Sequence, residues 1–383
     1  MTSTPAASAA SPVPRAGDLT NTRAPDRSAT GTGSRGGAAV WRERLWDAVC
    51  AGDEFAAAAT VFAALDEGIS AESVLLDVVA PVQRHVGTEW AANRLSVAAE
   101  HAASAINDRV IGALAHRAGA RPEPGLGRVA VACVDGEWHA LPARLLTEVL
   151  RLRGWQVEFL GGQVPSPHLV AHLHRSAPDV VALSSSLATR LPTAHAAIAA
   201  CRAAGTPVLA GGAAFGADGR YARAFGADAW APDARAAADL LARGLRRPSP
   251  GSAHQPLDDL PHLADQEYTL VSRSAPELVK EVLSDLTERF PAMRAYTEAQ
   301  HQHTAEDIAH VVEFLASALY VDDARLFTDF VAWTAEILTA RRVPTASLGQ
   351  ALDILARRLT DFPRSVGLLT HAHSTLNGTG EQA

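Results

Sequence analysis

The chain reads as a helical bundle, then a parallel α/β sheet domain, then a second all-α block. Three observations predict this order. Residues 39–120 consist of Ala-rich amphipathic runs with no strand-like segment. Residues 126–245 alternate short apolar runs with helical ones, the pattern of β–α–β units and a parallel sheet. Beyond the Pro/Gly/Ser stretch Arg247–Pro256, residues 265–365 return to a helical period.

Residues 1–38 are rich in Pro, Ser, Thr, Ala and Gly with almost no large apolar side chains, so they are expected to form a disordered tail. The first block is punctuated at Gly52-Asp53, Gly68–Ser70 and Asn93–Ser96. Asp53, Ser70 and Ser96 are helix N-cap residue types, and four helices with short connections make an antiparallel bundle. Five strands are expected in the middle block, at Val129–Val134, Val157–Leu160, Val180–Ser184, Pro207–Ala210 and Ala227–Trp230. A helix is expected at Leu141–Leu150. Residues 246–264 form the linker. The last block predicts helices at Glu277–Phe290, Ala299–Tyr320, Asp323–Ala340 and Ser347–Leu359, with residues 366–383 as a tail.

At 383 residues, 48% of them hydrophobic, the chain can hold two or three cores. A net charge of −8 gives no general attraction to nucleic acid. Cys50, Cys133 and Cys201 are too few and too scattered for a disulfide framework or a thiolate metal site, and a reducing cytoplasm is the expected setting. No signal-peptide layout and no membrane-length apolar run is present.

The chemistry concentrates at the carboxyl ends of strands, where an open α/β sheet binds its ligand. Glu137-Trp138-His139 follows the first strand. A carboxylate two residues before a histidine can hold one ring nitrogen and leave the other for a metal. Ser185-Ser186-Leu187 follows the third strand and Gly211-Gly212 ends the fourth. This order of acid-x-His, Ser-x-Leu and Gly-Gly resembles the Rossmann-like cobalamin-binding domain of methionine synthase and the corrinoid mutases, over about Arg128 to Leu241. The resemblance implies that His139 is the lower cobalt ligand and Glu137 its hydrogen-bond partner. It also implies that Ser185, Leu187, Gly211 and Gly212 line a slot for the cofactor's nucleotide tail, with Asp135 and Trp138 beside it. The family usually has Gly three residues after the histidine; here it is Pro142, which a first helical turn tolerates.

In the bundle, Trp90, Val97, Glu100 and His101 form a second pattern, with Glu100 and His101 three and four residues after Val97 on one helix face. A buried tryptophan and a glutamate favoured at a helix N-terminus would explain it without any ligand. In a bundle preceding a cobalamin domain, the spacing Trp-x6-Val-x2-Glu-His resembles the light-sensing cobalamin repressors. That resemblance implies that these four residues surround the 5′-deoxyadenosyl group of adenosylcobalamin. Two departures matter. The histidine that commonly follows the tryptophan is Ala91 here, and no DNA-binding domain is seen.

The last block carries an apolar aromatic face around Phe330 and Trp333, and His303, Asp307 and His310 at i, i+4 and i+7. Polar surface histidines, or part of a metal site, would both fit. The layout resembles globin-like sensor domains, including bilin-binding ones, and a cobalamin domain before it resembles the photocobilins. These are photoreceptors binding adenosylcobalamin and biliverdin. No cysteine follows Cys201, so biliverdin would be held noncovalently. Arg294, Arg341 and Arg342 are candidates for its propionates, and His301, His303, Asp307, His310 and Trp333 for other contacts. The expected function is a light sensor that is not an enzyme, works as a light-dependent homo-oligomer and signals to an unidentified partner. Two other readings stay open: a corrinoid methyl carrier of a methyltransferase system, and a cobalamin domain joined to a haem-binding sensor.

Overall fold

The computed structural model describes residues 34–117, 125–248 and 259–380. The expected disorder of residues 1–33 and the middle of the expected linker lie outside the described residues. Two compact units form: one holds the described residues up to Trp90 together with Leu95–Asp259, the other holds Ala91–Arg94 with the described residues from Leu260 onward.

The first unit opens with α1 (Ser34–Cys50) and α2 (Glu54–Asp66). α3 (Ala71–Ser73) passes through a π-helical stretch, Val74–Val79, into α4 (Ala80–Ala91), and α5 (Val97–Arg117) closes the bundle. Helix starts fall where the side chains can cap them. Asp53 accepts from the Ala56 amide, Ser70 from Ser73 and Ser96 from Ala99, each satisfying a donor that a helix leaves open. Ala57, Val61 and Ala64 of α2, and Ile106, Val110 and Leu114 of α5, recur on one face of each helix and are buried.

The sheet follows as β1 (Arg128–Cys133), α6 (Leu141–Leu152), β2 (Gln156–Gly161), α7 (Ser166–Ser176), β3 (Val180–Ser184), α8 (Leu191–Ala203), β4 (Val208–Gly211), α9 (Arg220–Ala224), β5 (Ala229–Ala231) and α10 (Ala234–Ala242). All strands are parallel, in the order β2-β1-β3-β4-β5. The chain leaves β1 toward one edge and returns through β3 on the other side. The loops after β1 and β3 therefore diverge, leaving the crevice where such sheets bind ligands. Cys133 pairs with Ser184, so the two loops start level with each other. The bundle is tied to the sheet domain by ion pairs. Glu72 meets Arg153 at 2.8 Å and Asp77 meets Arg235 at 2.6 Å; both carboxyls sit below their usual range, chiefly through hydrogen bonds from those guanidiniums.

The second unit contains α11 (Glu267–Arg289), α12 (Glu298–Val321), α13 (Ala324–Ala340), α14 (Ala346–Arg358) and α15 (Pro363–Gly380). Four expectations change here. The first helix does not begin at Glu277: it runs from Glu267 through Pro276. Val271 lies buried before the proline and Leu278, Val282 and Leu286 after it, so packing on both sides outweighs the missing backbone donor. Residues 366–383 are not a tail through Gly380, because α15 buries Leu369 and Ala372. Its first amides, of Arg364 and Ser365, donate to the buried Glu267 carboxylate at 2.9 and 2.8 Å. The linker's end is folded, since Leu260 and Leu263 are buried around the 3-10 turn Pro261–Asp265. At the other end of the chain, α1 starts at Ser34, inside the expected tail.

Candidate functional site

The site is built on the loops that leave β1 and β3. Glu137 is fully buried and binds the two loops together. Its Oε1 accepts from the His139 amide at 2.9 Å and lies 2.6 Å from His139 Nδ1. Its Oε2 accepts from the amides of Ser186 and Leu187 at 2.7 and 2.9 Å, with the Ser185 hydroxyl at 3.5 Å. Burial alone would raise this carboxyl. The hydrogen bonds from His139 and from the loop amides outweigh burial and bring it down to about 2.

An ionised carboxylate only accepts, so the His139 proton sits on Nδ1 and the Nε2 lone pair is available. That Nε2 is buried and has no hydrogen-bond partner. A buried polar atom left without a partner costs about 1–3 kcal/mol, which points to a ligand that completes it. Cys133, whose thiol is 3.9 Å from the His139 carbonyl, does not compete, because burial first and the Glu137 charge second push it up to about 12. Among the described residues no group of three His, Cys, Asp or Glu side chains could hold a bare metal ion. A single imidazole suits a metal that arrives with its other ligands already in place, as in a macrocycle.

Gly212 forms the other wall. Its φ is +98°, and an added Cβ would meet the Ser185 carbonyl oxygen at 2.2 Å. Backbone thus approaches backbone at a distance that only glycine permits. Gly211 does not share this constraint, with its nearest neighbour 3.7 Å from such a Cβ. Pro142 sits in the first turn of α6, where its missing donor is harmless.

The bundle motif divides between inside and outside. Glu100 is buried, accepts from Ser104 at 2.7 Å, and is backed by a chain from Ser104 through Gln83 to the buried Asn107. His101 is 62% exposed, with Nδ1 2.9 Å from Glu100 Oε2, so the two do not present one shared face. Trp90 is buried and Val97 half-buried. The bundle reaches the sheet loop where the His101 ring stands 6.5 Å from Trp138, which stacks on His139 at 4.0 Å. Asp135 is exposed at the start of that loop.

Sequence reasoning missed two supports. Ser186 is one; its spacing carries no signal because its amide, not its side chain, holds Glu137. The other is the loop after β2, where the Gln163 amide donates to the Glu137 carbonyl at 2.8 Å and Gly162 leaves room beside Trp138.

Models of the B12 binding domain match residues 127–241 and, separately, residues 41–115. This is a cobalamin-binding protein. The two matches of the cobalamin-binding protein coincide with its sheet domain and its bundle. It is 35% identical over 185 residues to the HTH-type transcriptional repressor CarA of Myxococcus xanthus, covering 45% of this chain and 57% of the repressor. It is 33% identical over 188 residues to the repressor CarH of the same organism, covering 46% and 59%. The chain thus spans little more than half the length of these curated relatives. Among solved structures, the monomethylamine corrinoid protein of Methanosarcina barkeri is 18% identical with a TM-score of 0.48, covering 54% of this chain and 98% of that one. A likeness of that size says nothing of function.

In the second unit the expected pigment contacts His301, His303, Asp307 and His310 lie on α12 and Trp333 on α13. Phe330 stacks on Phe314 at 3.8 Å, and with Phe327 and Trp333 it is buried in the helical core, so the aromatic face is packing between helices. His303 turns to Glu306 at 3.3 Å, His301 lies near Tyr296, and Arg294 is exposed. Asp307 lies close enough to the half-buried Arg341 to act on its charge. Among the described residues no helix is long and apolar enough to cross a membrane.

Proposed function

We propose that this protein is a light sensor that binds adenosylcobalamin, with His139 as the lower cobalt ligand. Bound adenosylcobalamin would supply a cobalt–carbon bond sensitive to light. One observation carries the reading: the Trp90…Glu100-His101 motif of the bundle comes to the His139 loop, through His101 beside Trp138. In this reading Glu137 fixes the His139 tautomer, Gly212 and Ser185 shape the tail slot, and Trp90, Val97 and Glu100 shape the upper pocket. Ala91 offers no imidazole to cobalt. The bundle is held to the sheet domain partly by the half-exposed pairs Glu72–Arg153 and Asp77–Arg235. Exposed and half-exposed pairs contribute little each. The bundle and the sheet domain also share a hydrophobic core, so in this reading it is the ligand contacts, not the ion pairs, whose loss shifts the bundle and changes the oligomer, a population shift.

Size-exclusion chromatography of the adenosylcobalamin-loaded protein in the dark and after green or blue light tests this. The expected result is photoconversion of the spectrum together with a changed elution volume. Full photoconversion at equal elution would remove the switch, and a strong preference for methylcobalamin would favour a methyl carrier.

We also propose that the second unit binds biliverdin noncovalently. The support is the resemblance in domain order and the half-buried Arg341 within reach of the Asp307 charge in an apolar helical unit, and with no cysteine after Cys201 any such binding is noncovalent. The full chain should gain a red-absorbing band with biliverdin, and acid denaturation should release all the pigment. Tight haem binding without biliverdin uptake, lost in a single variant of His301, His303 or His310, would make the unit a haem sensor.

A further inference from the structure

Arg190 lies at the mouth of the same crevice, and neither sequence motif includes it. It ends the 3-10 turn Ala188–Arg190 that follows the Ser185–Leu187 loop. Its guanidinium packs on the backbone of Gly136, one residue before Glu137: a Cβ added to Gly136 would lie 3.2 Å from Nη1 and 3.4 Å from Cζ. Gly136 also has a φ of +74°, which favours glycine, and an added Cβ there would crowd the guanidinium. Arg190 therefore spans the loops after β3 and β1 above the switch point of the sheet.

Among the described residues no carboxylate meets this arginine. Its Nε is buried without a hydrogen bond, and no ion pair is formed by it among the described residues. The Nε atoms of Arg144 and Arg202 are likewise buried without a hydrogen bond, but every other half-buried arginine of the sheet domain has a carboxylate or carbonyl within reach of its guanidinium. Arg151 reaches Glu148, Arg153 reaches Glu72, Arg202 reaches Asp228 and Arg235 reaches Asp77. Arg144 reaches Glu148, and Arg128 donates to the Ser176 carbonyl. A guanidinium partly removed from water without an acceptor is unfavourable unless a ligand supplies one. Its planar fork suits phosphate oxygens.

We infer that Arg190 binds the phosphodiester of the cobalamin nucleotide tail. This rests on the cobalamin reading above and adds to it the group that recognises the tail. The chemistry of the ligand supports that choice: the periphery of cobalamin consists of neutral amides apart from one anion, the phosphodiester. A cation fixed at the crevice mouth therefore distinguishes complete cobalamin from corrinoids that lack the tail.

The test compares adenosylcobalamin with adenosylcobinamide, which keeps the corrin and adenosyl group but lacks the phosphodiester and base. Spectroscopic titrations in the dark use wild-type protein, Arg190→Leu and Arg190→Lys. Arg190→Leu is expected to weaken adenosylcobalamin roughly 10- to 100-fold, the usual worth of a charge-assisted hydrogen bond. Adenosylcobinamide binding should be unchanged, and Arg190→Lys should retain part of the cobalamin affinity. The unchanged cobinamide titration shows that the leucine variant is folded. Equal losses for both ligands would mean contact with a corrin amide or general damage and would overturn the assignment, as would no loss for either. Should wild-type protein bind cobinamide too weakly to titrate, loss in the leucine variant with recovery in the lysine variant supports the assignment, and equal affinity of all three proteins for cobalamin overturns it. Wild-type protein that binds neither ligand overturns the cobalamin reading and this inference together. Wild-type protein that binds while the leucine variant matches it overturns the Arg190 assignment alone.

Discussion

Replacing His139 with alanine is expected to abolish the histidine-ligated, base-off spectrum of bound cobalamin and to lower affinity by at least about 10-fold. The reason is that His139 Nε2 is the buried nitrogen with an open lone pair at the crevice, held by the Glu137 carboxylate 2.6 Å from Nδ1. Glu137→Gln should be milder in spectrum but costly in affinity, roughly 10- to 100-fold, because the amide no longer favours a proton on Nδ1. An alanine variant that binds cobalamin with an unchanged spectrum would show that another group is the ligand. The Glu137 carboxylate also links the site to pH. Its folded-state value of about 2 lies below the usual 4.5, so its contribution to stability is fully present above pH 4.5 and is lost as pH falls toward 2. Between those limits the loop should loosen before the rest of the sheet domain, which amide exchange at Ser186 and Leu187 would report.

Gly212→Ala is expected to have the second large effect. The new Cβ would sit 2.2 Å from the Ser185 carbonyl oxygen, at a φ of +98° that side chains rarely adopt. Both atoms are backbone-fixed, so the strain cannot be relieved by turning a side chain. About 3 kcal/mol of destabilisation is expected, which for a domain of this size lowers the melting temperature by roughly 6–12 °C. Cobalamin binding should fall with it, since Ser185 must move. Gly211→Ala is the control: its nearest neighbour is 3.7 Å from the new Cβ, and a change under about 1 kcal/mol is expected. If the two variants melt together, the close approach of Gly212 to Ser185 does not exist in solution.

The sheet and its site were legible because their signals are local. Apolar runs such as Val180–Ser184 have strand length, their spacing leaves room for crossover helices, and Glu137 lies within two residues of the histidine that it holds. The bundle was legible from caps such as Asp53 and from the helical period. The expectations that changed depend on residues far apart in the chain. α15 is secured by Glu267, about a hundred positions earlier, and no neighbouring residue announces that cap. Phe330 and Trp333 form an aromatic stripe in the sequence, and the stack of Phe330 on Phe314, a residue of the preceding helix, appears only in the folded chain.

By itself the sequence determined the five strands, the bundle helices and the Glu137–His139 pair, since each rests on propensity, period or hydrogen bonding within a few residues. Tertiary structure alone decided that Ser186 and Leu187 supply the amides for Glu137, and that Gly212, not Gly211, is the glycine no other residue can replace. It also decided that Arg190 lies over Gly136 with no carboxylate meeting it among the described residues. Backbone amides have no sequence signature, and steric closeness and missing partners are properties of three-dimensional neighbours. Such features appear only when strands β1, β3 and β4 stand side by side.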